Sequence, residues 1–291
     1  LPLHKYEVYF TTKIMNESIL PLIQPIEIKT DDVRIHAHHL PNKNKPGFVM
    51  LHGLTDDGLC WLRLADELRD DYDITMIDAR GHGLSDTPAS GYTAKHHASD
   101  AAAVIRAMGL GPCIVIGHSM GGAEAAQLAA VYPELVRAVI LEDPAWRDIP
   151  RDVTQAQVQA MAEEWRAGIL KNRAMGFDAL HKTIREEHPD WHVDETIPWA
   201  KAHLLTRPEV VNYVTEPMPN WREAAAKITC PALLVVADVV RGAIVDEGVI
   251  EAARARMPRL RVARVPNAGH NIRRENWESF ISQAKDFLRD L

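Results

Sequence analysis

Ile114-Val115-Ile116-Gly117-His118-Ser119-Met120-Gly121-Gly122 joins a strand pattern to a helix pattern through a serine set among glycines. The apolar, β-branched start suits a strand buried on both faces. The alanine-rich run from Ala123 to Tyr132 reads as the helix that follows. Ser119 therefore sits on a tight strand-to-helix turn. Gly117 and Gly121 flank it as G-x-S-x-G because a side chain at either place would crowd that turn. Such a turn lifts the hydroxyl clear of the sheet and backs it with the free N–H groups of a helix N-terminus. Negative charge developing beside the serine would meet those donors. Ser119 reads as a nucleophile.

Outward from this turn the alternation repeats. Upstream, Phe48-Val49-Met50-Leu51 is a continuous apolar run ending in His52-Gly53-Leu54, and Cys60 to Leu68 follows with helical spacing. Ile74 to Ile77 is the next buried strand, ending at Asp78-Ala79-Arg80-Gly81-His82-Gly83-Leu84-Ser85-Asp86, and Thr93 to Met108 is a helix. Downstream lies the strand Val136 to Leu141. After an interruption come Ala232 to Val236, a helix from Asp246 to Met257 with Asp246 as its N-cap, the strand Leu260 to Val265, and a last helix from Asn276 to Leu291. This spacing predicts an α/β fold, a mostly parallel sheet with helices on both faces. Ligands of such sheets gather at the carboxyl ends of the strands. His52-Gly53-Leu54, Asp78 to Asp86, Ser119 and Glu142-Asp143 all fall there.

The interruption, residues 145–222, reads as helices only: Gln155 to Leu170, Gly176 to Glu187, Trp199 to Leu205 and Trp221 to Lys227. A helical insertion beside the mouth of a sheet is a lid. Five of the seven tryptophans lie in it. Some supply packing for a subdomain with little core; Trp146, Trp165 and Trp191 are the candidates to face a pocket and favour an apolar or ring-bearing substrate. At the other end, residues 1–25 form an arm, with a short strand from Tyr6 to Phe10, that packs on the body or on a second subunit. That leaves a homodimer open. Ile26 to Thr30 and Val33 to His38 then alternate with period two around Asp31-Asp32, the signature of a hairpin. The core is expected over 26–144 and 223–291. His36, His38 and His39 invite a metal, yet no acidic or cysteine partner stands at ligand spacing, so none is expected.

Composition narrows the class. With 46% apolar and 25% charged residues the chain is that of a soluble globular protein. A net charge of −7 without long one-sign blocks argues against nucleic acid as a partner. Cys60, Cys113 and Cys230 are odd in number and far apart, which excludes a disulfide framework and a zinc spacing. No run is long enough to span a bilayer and no signal-peptide pattern opens the chain, so a cytoplasmic location is expected.

Taken together, the motifs resemble the α/β-hydrolase superfamily over residues 26–291. The resemblance rests on His52-Gly53 after the third strand, Asp78-x-Arg80-Gly81-His82-Gly83-x-Ser85-Asp86 after the fourth and Gly117-His118-Ser119-Met120-Gly121-Gly122 after the fifth. It extends to the cap inserted after the sixth strand and Gly269-His270 after the eighth. It implies a nucleophile–acid–histidine triad and two-step acyl transfer without cofactor. Ser119 would attack, His270 would take its proton, and the N–H groups of Leu54 and Met120 would hold the oxyanion.

The acid departs from the family pattern. Relatives carry Asp or Glu about three residues past the seventh strand, where this chain has Val240. Asp238 from a shifted loop, Asp143 at the end of the sixth strand, or a broken triad are the alternatives, with Glu142 behind them because it alternates to the opposite side from Asp143. The resemblance favours a serine hydrolase of a carboxylic ester or lactone of a fairly apolar small molecule. Carbon–carbon bond hydrolysis of a ring-cleavage product, or weakly catalytic ligand binding, are the competing readings. Aspartate-nucleophile chemistry on epoxides or haloalkanes is disfavoured by Ser119.

Overall fold

Why the apolar runs disappear into the interior is clear from the sheet. In the computed structural model, which describes residues 19–147 and 153–291, β3 (Gly47–Leu51), β5 (Cys113–His118) and β7 (Ala232–Val236) are buried at every position. With β4 (Asp73–Ile77), β6 (Val136–Glu142) and β8 (Leu260–Arg264) they form the parallel part of an eight-stranded sheet. The hairpin β1 (Gln24–Lys29) and β2 (Arg34–Leu40) adds the antiparallel edge, giving the order β1-β2-β4-β3-β5-β6-β7-β8. The Asp31-Asp32 turn closes with the Thr30 N–H donating to the Val33 carbonyl at 2.8 Å. The strand expected from Tyr6 to Phe10, and most of the arm, lie outside the described residues.

Period-two alternation sorts the core into two layers. Phe48, Met50, Ile114 and Ile116 face α1 (Leu62–Leu68) and the C-terminal helix Trp277–Arg289, whose Phe280 and Phe287 are fully buried. Val49, Leu51 and Val115 face α2 (Ala94–Met108) and α3 (Met120–Val131). Burying each such side chain contributes ~1.5–3 kcal/mol, so both faces resist peeling. Chain order also fixes the crevice. From β3 the chain crosses to β4 on one side, and β5 then lands on the other. The gap between the ends of β3 and β5 is the switch point where ligands bind in open parallel sheets.

Between β6 and β7 the described chain is helical: α4 (Gln155–Met175), α5 (Phe177–Glu187), α6 (Val193–Leu205), α7 (Asn212–Thr215) and α8 (Trp221–Ala225). α4 opens on a capping box, Thr154 with Gln157, and runs through Gly168 past the end expected at Leu170. α6 starts six residues before the expected Trp199. Pro198 is accommodated inside the helix, whose cap is His192 accepting from the Asp194 N–H at 3.3 Å. The underside of this segment, Ala162, Ile169, Val210, Val211 and Tyr213, packs on Ala79, Tyr92 and Met120. After β7 come α9 (Glu247–Arg254), capped by Asp246 as expected, then α10 (Ile272–Glu275) and α11 (Trp277–Arg289). All three cysteines are free. No helix among the described residues is long and apolar enough to cross a membrane.

Candidate active site

The turn after β5 is strained and tight. Ser119 has φ +54°, a left-handed value that a non-glycine residue adopts only when its surroundings hold it there. They do: its N–H donates to the Glu142 carbonyl, and the Gly121 N–H donates to the His52 carbonyl. A Cβ on Gly117 would lie 1.9 Å from the Gly121 oxygen, and one on Gly121 2.2 Å from the Leu51 oxygen. Only glycine fits either place. The hydroxyl is thus presented at the N-terminus of α3, level with the end of β3.

His270 arrives from the loop between β8 and α10. The Ser119 hydroxyl donates to its Nε2 at 3.0 Å, and its Nδ1–H donates to Asp143 Oδ2 at 2.6 Å. Asp143 is fully buried with φ +38°. Its carboxylate also accepts from the Ile244 N–H at 2.8 Å and the Val245 N–H at 2.9 Å. So the loop after β7, where relatives carry the acid, here contributes two backbone donors that hold an acid coming from β6. Asp238 is placed elsewhere. Half-exposed, at 44%, it accepts from the Asn267 N–H at 3.1 Å and lies 3.8 Å from Arg241, and it makes no bond to His270. Val240 is 96% exposed. Glu142 points away, as its alternation required, and receives Arg273.

Other histidines brace this frame. His118 Nε2–H donates to the His270 carbonyl at 2.9 Å, and burial pushes the His118 pKa well down, so the ring is neutral. His52 Nδ1–H donates to the Gly53 carbonyl while Nε2 accepts from the Ala79 N–H at 3.0 Å, which fixes its tautomer. The His82 ring lies between the carbonyls of Leu54 and Arg80, one of which accepts its single N–H. Among the described residues, neither the Leu54 nor the Met120 N–H has a hydrogen-bond acceptor, so both donors remain for a ligand oxygen.

The three tryptophans singled out from the sequence sit in different surroundings. Trp146 is buried and stacked on Trp221 at 4.8 Å; Trp191 is buried, stacked on His188 at 4.2 Å and under the Arg274 guanidinium. Trp146 and Trp221 belong to the core layer that covers one face of the sheet. Trp165 is 38% exposed on α4. A groove of about 630 Å³ runs beside α3 between Gln127, Trp146, Tyr213, Met218 and Trp221; Ser119 and His270 do not line it.

The histidines of β2 also need a correction. His36 and His38 do have an acidic partner, Asp78, their ligand atoms all lying within 4.8 Å of one another. It comes from the end of β4, which pairs with β2, so spacing along the chain could not reveal it. These groups are already engaged: His38 with Asp78 at 3.2 Å, His36 with Glu27 at 2.7 Å, and Asp78 with the N–H groups of Gly58 and Leu84. The residues missed altogether are Asp56, Glu195, Arg273 and Arg274, which surround the site as buried charges. The Arg-Arg pair just after His270 was their one visible signal.

Comparison with known proteins shows the family. The family model described as alpha/beta hydrolase fold matches residues 46–273. The chain belongs to the α/β-hydrolase family. Over 271 residues this α/β hydrolase is 28% identical to 2-(acetamidomethylene)succinate hydrolase of Mesorhizobium japonicum, covering 90% of this chain and 95% of that one. It is 26% identical over 258 residues to N-formylmaleamate deformylase of Pseudomonas putida, covering 87% and 93%. Among solved structures, a thermophilic esterase from Thermogutta terrifontis superposes with TM-score 0.73 at 25% identity, covering 92% and 98%.

Proposed function

We propose that this α/β hydrolase cleaves a carboxylic ester or lactone of a small molecule through an acyl-enzyme on Ser119. The hydrogen-bonded chain Ser119–His270–Asp143 is the observation that carries the reading. His270 takes the Ser119 proton as Oγ bonds the carbonyl carbon, and the carbonyl oxygen becomes an oxyanion facing the N–H groups of Leu54 and Met120. Asp143 steadies the imidazolium. The C–O bond to the leaving group then breaks, and His270 passes its proton to the departing oxygen. Water attacks the acyl-enzyme by the same steps in reverse, releasing the acid and restoring Ser119. A preorganised donor of this kind is worth about 3–4 kcal/mol of barrier.

A second reading is cleavage of an N-acyl bond. It is favoured by two full-length relatives, whose names, 2-(acetamidomethylene)succinate hydrolase and N-formylmaleamate deformylase, each carry an acylated nitrogen. The same serine chemistry applies, with nitrogen as the leaving group. Carbon–carbon cleavage would use the same serine. A substrate panel separates them: p-nitrophenyl acetate and butyrate, a γ-lactone, an N-formyl and an N-acetyl enamide, and a vinylogous diketone. Turnover of the esters or lactone that disappears in Ser119→Ala supports the first reading. Turnover confined to the N-acyl compounds replaces it with the second.

A further inference from the structure

Five charged side chains behind the triad, Asp56, Glu142, Glu195, Arg273 and Arg274, are each no more than 3% exposed. Arg274 is their hub. Its Nη2 donates to both oxygens of Asp56 at 3.0 Å, its Nε to Glu195 Oε2 at 3.3 Å and its Nη1 to Asn271 Oδ1 at 3.0 Å. Asp56 stands two residues past Leu54, in a turn closed by its own N–H on the Gly53 carbonyl. Arg274 stands four residues past His270. Glu195 belongs to the first turn of α6, in the helical segment between β6 and β7. One guanidinium therefore ties together the oxyanion loop, the histidine loop and the cap.

Charge counting singles out Glu195. Asp56 with Arg274 and Glu142 with Arg273 already match two carboxylates to two guanidiniums. Glu195 is the third carboxylate, with Oε2 3.3 Å from Arg274 Nε and 4.0 Å from Arg273 Nε. It is fully buried, and its Oε1 has no hydrogen-bond partner among the described residues. Three carboxylates facing two guanidiniums leave one more carboxylate than pairing requires, and an excess buried charge opposes folding. Glu195 fixes Arg274 from the cap side, and at the far end of α6 the Thr206 hydroxyl bonds the Thr55 carbonyl at 3.3 Å. The far end of α6 thus touches Thr55 directly, and its first turn reaches Asp56 through Arg274.

We propose that Glu195 is a positioning residue: through Arg274 and Asp56, helix α6 of the cap sets the Leu54 N–H and the His270 loop relative to Ser119. The proposal rests on the serine-hydrolase reading above. A cap acting this way completes the catalytic geometry even for substrates too small to touch it.

The test compares Glu195→Gln with wild type in three measurements: thermal unfolding, p-nitrophenyl acetate kinetics, and the rate at which a fluorophosphonate labels Ser119, located by mass spectrometry. Labelling forms an Oγ–P bond, expels fluoride and needs the same base and oxyanion donors. The relay predicts an unchanged or higher Tm, kcat and labelling rate each lowered about tenfold, as small displacements of reacting groups produce, and KM for acetate within about twofold. Glu195→Asp should recover part of the rate. Wild-type kcat and labelling in Glu195→Gln would overturn the relay, as would a lowered Tm with only KM for a bulky ester affected, the mark of a structural or pocket-lining side chain. A wild-type protein that labels at Ser119 but turns over none of the panel overturns the ester reading while the labelling rates still judge the relay. No labelling of wild type overturns both.

Discussion

Asp143 carries two burdens at once, a left-handed backbone and a fully buried carboxylate, and both are met by what surrounds it. Short polar side chains tolerate positive φ better than others. Three donors, His270 Nδ1–H and the amides of Ile244 and Val245, replace the water it has lost. We expect Asp143→Asn to keep this shape yet favour the wrong histidine tautomer, lowering kcat by about 10⁴. Asp238→Asn should leave kcat within about threefold, because Asp238 bonds Asn267 and not the imidazole. Ester kinetics at neutral pH on the two variants decide it; comparable losses in both would mean that neither carboxylate orients the ring. Ser119 and His270, which the structure brings together, could be picked out as candidates in the sequence because each sits in a local motif. The acid could not be narrowed to one residue, because the choice depends on how a loop a hundred residues further on folds back to donate its amides.

At the scale of elements, close backbone approach explains the turn that presents Ser119. Gly121→Ala would drive a methyl onto the Leu51 oxygen, which is backbone and cannot step aside. We expect that variant to lose activity and to fall well outside the ±0.5 kcal/mol range of ordinary surface changes. Gly168, in the middle of α4, is the contrast, since a Cβ there meets nothing within 4 Å. Gly168→Ala should stabilise by about 0.5–1 kcal/mol through helix propensity, a rise of about 1–2 °C in Tm for a chain of this size. Differential scanning fluorimetry on both variants checks the pair; a destabilised Gly168→Ala would mean that α4 is packed more tightly than its exposure indicates. The same contrast explains what was legible. Strands such as Phe48–Leu51 and Ile114–Ile116 are buried on both faces and announce themselves as unbroken apolar runs. The partner of His36 and His38 hid in the pairing of β2 with β4. That pairing is a tertiary contact that no local window contains.

Across the whole molecule, buried imidazoles concentrate at the end of the sheet that carries Ser119. Burial pushes the pKa of His203, on α6, down to about 4 and that of His82 down to about 3, and lowers His118 well below its ordinary value. An unfolded histidine titrates near pH 6.5. Between pH 6.5 and pH 4 the unfolded chain therefore binds a proton at His203 that the folded chain refuses. Stability from this residue is complete above pH 6.5 and is lost as pH falls toward 4, at up to about 1.4 kcal/mol per pH unit. Asp57 works in the opposite direction, since burial beside Asp78 raises its pKa to about 8 and the fold keeps a proton that the unfolded chain has released. A difference between two proteins that share Asp57 cancels that contribution. His203→Gln keeps a donor for the Trp199 carbonyl that Nδ1–H now reaches at 2.9 Å, and it does not titrate. We therefore expect its Tm, relative to wild type, to rise by about 4 °C as pH drops from 7 to 5, corresponding to about 2 kcal/mol. A Tm difference that stays constant over that range would mean that the His203 ring is not held neutral in the fold. The acid sensitivity of the fold would then have to come from its carboxylates rather than from the histidines gathered around Ser119.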